Sequence, residues 1–291
     1  MRFRGIYAPL ATPFDHLGNI YWSKFDYNIS QLLRTRLSGF LVADRWGEAP
    51  LLSSEEKIRL WKRACGQVGD KARVIATVSG CGVSQARDLV AAAAAAGCSA
   101  AVLEAPDLAA LAPGVRCTET FHRSVADSSD LPLLLGIRVG GRTGETPEQM
   151  ASLATHPTIV GAVVEGHAEE AVAEASRLCG RGFSIVTSDL PTMAAGLAGG
   201  AAAAAPAIAA IVPFHVLSIE EAVRTREQAA ASDLTRRALD LDRLLRSHGV
   251  PAFKDALDRR SFYGGLARLP LFRAAAETRE AVSRSLYELP S

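Results

Sequence analysis

The chain has few cysteines, almost no surplus charge and none of the short signatures of common catalytic machinery. Its five cysteines (Cys65, Cys81, Cys98, Cys117 and Cys179) are widely spaced, and no C-x-x-C occurs. An odd, scattered set fits reduced thiols in a cytoplasm rather than a disulfide framework. The formal net charge of +1 leaves no electrostatic footprint for nucleic acid. Residues 1–14 contain no apolar core of the kind that marks a signal peptide. There is no H-E-x-x-H, and His16, His122, His156, His215 and His248 show no ligand spacing, so no metal site is expected. A serine nucleophile lacks its G-x-S-x-G elbow. A dinucleotide cofactor lacks the G-x-G-x-x-G that would follow the first strand, and no other cofactor is implied.

Charge is also missing from one long stretch, between Asp189 and Glu220. That length would cross a bilayer. The run is built from weakly hydrophobic Ala and Gly, however, and holds Pro191, Pro206 and Pro213. It reads as a buried helix followed by a buried strand, and no membrane contact is expected.

What is present is a regular alternation. Short runs apolar on both faces, at residues 5–11, 39–43, 73–78, 100–103, 131–137, 158–164 and 183–186, each precede an amphipathic or alanine-rich segment. An eighth strand belongs in the alanine-rich run ending at Ile211. Helical spacing covers residues 22–37, 84–96, 117–126 and 168–178. Ser53 precedes Glu55 and Glu56 and starts another helix, with carboxylates at the positive end of its dipole. Pro147 opens a further helix where its missing N–H costs nothing. Strands buried on both faces and followed by helices form a parallel sheet under a helical layer. Eight such units favour a closed (β/α)8 TIM barrel over an open sheet, and 291 residues is an ordinary length for one. From residue 219 onward only helical patterns occur, at residues 220–231, 233–247, 251–260 and 271–286. The expected organisation is a barrel over residues 1–230 and a C-terminal helical subdomain over 231–291, packed on it.

The order of the motifs resembles the dihydrodipicolinate synthase/N-acetylneuraminate lyase family. Tyr7-Ala-Pro-Leu-Ala-Thr-Pro-Phe14 with Asp15-His-Leu-Gly-Asn-Ile20 is similar to its opening strand, turn and hairpin. Asp44-Arg-Trp-Gly-Glu48 followed by Leu52-Ser-Ser-Glu-Glu56 stands where the family has Gly-Thr-Thr-Gly-Glu and Leu-(Ser/Thr)-x-Glu-Glu. Gly141-Arg-Thr-Gly144, Gly249-Val-Pro-Ala-Phe-Lys254 and Gly264-Gly-Leu-Ala-Arg-Leu-Pro270 extend the likeness to the C-terminal helices.

The resemblance implies a lyase whose strand-six lysine condenses with a 2-oxo acid to form an imine. Here the strand reads Val160-Gly-Ala-Val-Val-Glu165. The lysine position falls on Val163 when counted from Gly161, and on Val164 when counted back from Glu165. The family's strand-five tyrosine falls on Ile137, and its two threonines after strand two become Arg45 and Trp46. The chain's lysines are Lys24, Lys57, Lys62, Lys71 and Lys254, none of which ends a barrel strand. Lys24, Lys57 and Lys62 are expected on outer helices.

The strand ends still carry polar groups. Arg45, Trp46 and Glu48, then Arg138 and Arg142, then Asp189, are the expected substrate-binding residues, and Glu165 is the candidate acid or base. His167, Ser188 and Cys81 lie at the same face. Guanidinium forks suit carboxylates. The expected ligand is a small anion, a 2-oxo acid or sugar acid, with Schiff-base catalysis lost or altered. The rival reading is a non-catalytic sensor or partner-subunit barrel. Within the first reading Arg45 has a structural alternative as an ion-pair partner of Glu48, Glu104 or Glu165. The resemblance further implies a cytoplasmic homo-oligomer, dimer or tetramer.

Overall fold

The computed structural model describes residues 2–107, 117–138, 146–166, 169–180 and 182–289. Eight parallel strands close into one barrel in chain order. They are β1 (Gly5–Pro9), β2 (Gly39–Val42), β3 (Arg73–Val78), β4 (Ala100–Glu104), β5 (Leu133–Arg138), β6 (Ile159–Glu165), β7 (Ser184–Thr187) and β8 (Ala203–Ala204). The first seven helices alternate with them: α1 (Trp22–Leu32), α2 (Ser54–Val68), α3 (Val83–Ala95), α4 (Cys117–Ala126), α5 (Pro147–Leu153), α6 (Glu169–Leu178) and α7 (Leu190–Ala198). After β8 come α8 (Pro213–Arg224), α9 (Gln228–Asp258) and α10 (Ala276–Tyr287). The TIM barrel read from the alternation is therefore the observed fold.

Side chains of successive strand residues point to opposite faces. Inside the barrel, Tyr7, Leu41, Ile75, Val102, Leu134 and Val186 meet over Phe3, with Val163 packed against them. Their neighbours Ile6, Phe40, Ala76, Leu103, Leu135 and Val164 face the helices. Each fully buried large apolar side chain contributes roughly 1.5–3 kcal/mol.

Local signals set the helix starts. Ser53 and Glu56 form a reciprocal capping box, with Ser53 Oγ accepting from Glu56 N at 3.2 Å and Glu56 Oε2 from Ser53 N at 2.9 Å. Thr146 and Gln149 do the same for α5, with Pro147 at the first helical position. Trp61, fully buried on α2, donates to Val42 O at 3.1 Å and ties that helix to β2.

Some expected boundaries move. α1 ends at Leu32 rather than 37, and the Thr35 hydroxyl donates back to Leu32 O at 2.6 Å. The helix expected over 220–231 is α8, which begins earlier at Pro213 and is followed by Arg226 at φ 63°. The two helices expected on either side of residue 249 are present as the two halves of α9, separated at Gly249, whose φ of 62° and ψ of −148° are not helical. α9 packs against α7, α8 and the turn before α8, and position 230/231 falls in its first turn. Among the described residues no helix is long and apolar enough to cross a membrane.

Candidate functional site

A cavity of ≈150 Å³ opens at the C-terminal ends of the strands, the end at which barrels of this kind do chemistry. Leu41, Val102, Val163 and Ala205 give it an apolar floor, and charged groups rise above them.

The register of β6 decides which valine stands at the lysine position. Val163 pairs with Gly136 on one side and Val186 on the other, and it lines the cavity. Val164 belongs to the outer core layer. Among the described residues no lysine lines the cavity. On β5, Gly136 and Arg138 face inward, and Ile137 packs with the outer layer. Gly136 leaves the room that Glu104 occupies, since a Cβ there would lie 2.7 Å from Glu104 Cγ. Lys57 is on α2 as expected, and its side chain is buried. Burial lowers the pKa of its ammonium, partly offset by Cys81 and Glu104.

At the rim, Arg45 and Arg138 grip the same carboxylate. Arg45 pairs with Glu165 Oε1, and the Arg138 guanidinium lies 3.1 Å from Glu165 Oε2. The Arg45 guanidinium also stacks 4.5 Å above the Trp46 ring, which packs 5.1 Å from Phe253. Asp189 is buried and accepts from Gly166 N. The Ser188 hydroxyl donates to Val164 O at 3.1 Å. The structure thus brings Arg45, Trp46, Arg138, Glu165, Val163 and Asp189 around one cavity. Arg142 and His167 lie outside the described residues.

Glu48 is placed elsewhere. Its side chain has no solvent exposure, and Oε1 lies 2.5 Å from Lys254 Nζ. Lys254 Nζ also donates to Thr12 O at 2.8 Å and Leu266 O at 2.7 Å. Glu48 Oε2 accepts from Arg268 N at 2.8 Å. The turn after β2 carries Glu48 at φ 63°, which turns it away from the mouth and toward α9. Expected as a ligand-binding residue, Glu48 instead sits in a buried ion pair that fastens the β2 turn to the C-terminal helices. Cys81 packs in the outer core layer, where burial raises its thiol pKa.

Four lining groups had not been singled out as site residues from the sequence: Asp44, Glu104, Asp242 and Arg246. Burial lifts the Asp44 pKa to about 7, opposed by the hydrogen bond from Gly47 N. It lifts Asp242 to about 6 against the attraction of Arg246, which stands 2.8 Å away. Glu104 is likewise raised by burial, with Arg138, Arg45 and Lys57 opposing. The Thr77 hydroxyl, buried on the cavity wall, has no hydrogen-bond partner. Asp44 was legible as the first residue of the altered β2 motif. Asp242 and Arg246 reach the mouth only through the packing of α9, from two hundred residues downstream of β2, and no local pattern announces them.

The described lining holds five carboxyl groups and three guanidiniums. A strand-end cup of this kind can hold a carboxylate on paired guanidiniums. It can also present the neutral Asp44 carboxyl as a hydrogen-bond donor up to about pH 7.

An eight-stranded parallel barrel with its polar groups gathered at the strand ends defines the class of protein. The profile of the dihydrodipicolinate synthetase family matches residues 2–289, and the chain belongs to that family. It is 29% identical over 304 residues to the 4-hydroxy-tetrahydrodipicolinate synthase of Synechococcus elongatus, covering 99% of this chain and 96% of the relative. The enzyme of the same name from Xanthomonas axonopodis pv. citri is 30% identical over 291 residues, covering 98% and 94%. Among solved structures, dihydrodipicolinate synthase from Aquifex aeolicus superposes with a TM-score of 0.91 at 23% identity, covering 99% of each chain. This last likeness speaks to the fold.

Proposed function

We propose that this barrel binds a small 2-oxo or sugar acid at its mouth without forming the imine of its relatives. The observation that carries the reading is the grip of Arg45 and Arg138 on Glu165. Two guanidiniums already converge on a carboxylate there, and a ligand carboxylate takes Glu165's place. The oxo or hydroxyl oxygens of the ligand then accept hydrogen bonds from Thr77 and from the neutral form of Asp44. Both groups line the same cavity. Val163 offers no amine to a keto carbon, which argues against condensation. The reading remains lyase-like in kind, with carboxylic acids in place of the imine to stabilise developing negative charge. Glu165, released from the arginines, serves as the base. A homo-oligomer of such barrels in the cytoplasm is part of the same proposal.

The test is calorimetric titration of pyruvate and a panel of 2-oxo and sugar acids, with borohydride trapping alongside. Binding that Arg138→Ala weakens, with no borohydride-stable mass adduct, is the expected result. A trapped pyruvate adduct overturns the non-imine mechanism, and absence of binding by every acid overturns the ligand assignment. The rival reading, a non-catalytic sensor or partner subunit, is distinguished by binding without turnover of any bound acid.

A further inference from the structure

The opposite end of the barrel is also polar, and it is of one sign. Arg2, Arg4, Lys71 and Arg73 line a single concavity of ≈600 Å³ at the N-terminal ends of the strands, together with Ser38 and Ser99. Asp70 is the only acid in that lining. An adjoining concavity of ≈440 Å³ shares Arg2 and Arg4 and adds Arg177. Such a concentration is out of proportion to a net charge of +1 for the whole chain.

Elsewhere the arginines are mostly matched with acids, as in Arg123 with Glu119, Arg237 with Asp233 and Arg268 with Glu56. Among the described residues none of Arg2, Arg4, Lys71 and Arg73 has a carboxylate within ion-pair distance. Arg73 is nevertheless held in place, stacked 5.2 Å over the Phe3 ring and donating to Arg2 O at 2.6 Å. Beneath it Tyr7 is 1% exposed, and its hydroxyl sits beside the Arg73 guanidinium without a hydrogen bond of ordinary geometry. Clustered like charges repel, and a fixed guanidinium with free donors is a partial site for a polydentate anion.

We propose that this N-terminal concavity is a second ligand site, taking a small dianion that bears a phosphoryl group. Arg73 and Arg4 hold two of its oxygens and Lys71 supplies a third positive charge. The Ser38 and Ser99 hydroxyls donate at the rim, and the Phe3 ring and Arg2 O hold Arg73 in place. The site lies at the other end of the barrel from Arg45 and Arg138 and stands independently of the function proposed for the mouth.

The probe is inorganic phosphate, titrated into the full-length protein at constant ionic strength with sodium chloride as the balance. The readouts are thermal stability and calorimetric heat, and glycerol phosphate serves as the monoester arm. Phosphate is expected to raise Tm saturably above the chloride baseline. Arg4→Gln and Lys71→Gln are each expected to weaken its binding roughly tenfold, as loss of one charge-assisted contact does. Lys62→Gln, an exposed site on α2 with the same change in charge, is expected to have no effect. Tyr7→Phe, which keeps the ring, weakens binding less than Arg4→Gln. Tighter binding of glycerol phosphate than of phosphate supports a monoester as the ligand, and the reverse supports free phosphate. The proposal is overturned if phosphate matches chloride, if citrate binds more tightly than either phosphate species, or if Lys62→Gln costs as much as Arg4→Gln. It is also overturned if Arg138→Ala removes the phosphate response, because the anion would then be sitting in the mouth.

Discussion

Lys254→Met tests whether the Glu48–Lys254 pair is a structural clamp. The substitution keeps the length of the side chain and removes its ammonium. Three contacts vanish with it: 2.5 Å to Glu48 Oε1, 2.8 Å to Thr12 O and 2.7 Å to Leu266 O. So does the ammonium that stands 4.6 Å from the centre of the Phe14 ring. Glu48, with no side-chain exposure, is left with the Arg268 N–H and only the weaker attraction of the Arg268 guanidinium, which is already paired with Glu56. Orphaning one partner of a buried ion pair costs about 3–5 kcal/mol. Against a total stability of about 5–15 kcal/mol that is a large fraction. A fall in Tm on the order of 10 °C follows from it. Urea unfolding followed by tryptophan fluorescence reads the cost as a shift in midpoint at constant slope. The decisive comparison is the double change Lys254→Met with Glu48→Met. It removes both charges, so it is expected to cost clearly less than the sum of the two single changes, with a residual loss because Thr12 O, Leu266 O and Arg268 N lose their partners. If the two single costs simply add in the double variant, the pair is not coupled and the clamp is wrong. If Glu48→Gln alters ligand affinity but not stability, the residue belongs to the mouth after all.

The same cavity and core support further outcomes. The unfolded chain releases the Asp44 proton near pH 4, whereas the folded protein holds it to about pH 7. The folded state binds the extra proton between those values, so this group makes stability fall as pH rises from about 4 to about 7, by at most roughly 4 kcal/mol. Asp44→Asn keeps the oxygen that accepts from Gly47 N and is expected to gain stability relative to wild type at pH 8 but not at pH 4; equal pH profiles in urea unfolding would refute the assignment. Val163→Lys puts a primary amine on the cavity floor and is expected to yield a borohydride-stable pyruvate adduct by mass spectrometry, while Val164→Lys, aimed into the helix layer, yields none and unfolds more easily. Gly39→Ala places a Cβ 2.3 Å from Arg73 O and 2.8 Å from the Tyr7 ring. It is expected to cost about 1–3 kcal/mol or more by overpacking, measured as a lower urea midpoint.

Much of the barrel was legible because a parallel strand under helices must be apolar on both faces, a pattern that survives without any knowledge of contacts. Capping chemistry is equally local, and Ser53 and Pro147 started their helices where the residues themselves indicated. Boundaries shifted where a tertiary fact intervened, as at α8, which begins at Pro213, just after the alanine-rich run and still inside the stretch without charge.

The order and spacing of motifs in the sequence determined the family, the closed barrel and the two candidate positions for the missing lysine, since these depend on periodicity along the chain. Only the tertiary structure chose Val163 over Val164, because one step of register turns a strand residue from the interior to the helix layer. Folding also gathered the carboxyl groups that local reading left apart. It carried Asp242 and Arg246 to the mouth on α9 and withdrew Glu48 into a pair with Lys254. Charge pairing acts through space, and Glu48 and Lys254 are about two hundred residues apart in the chain.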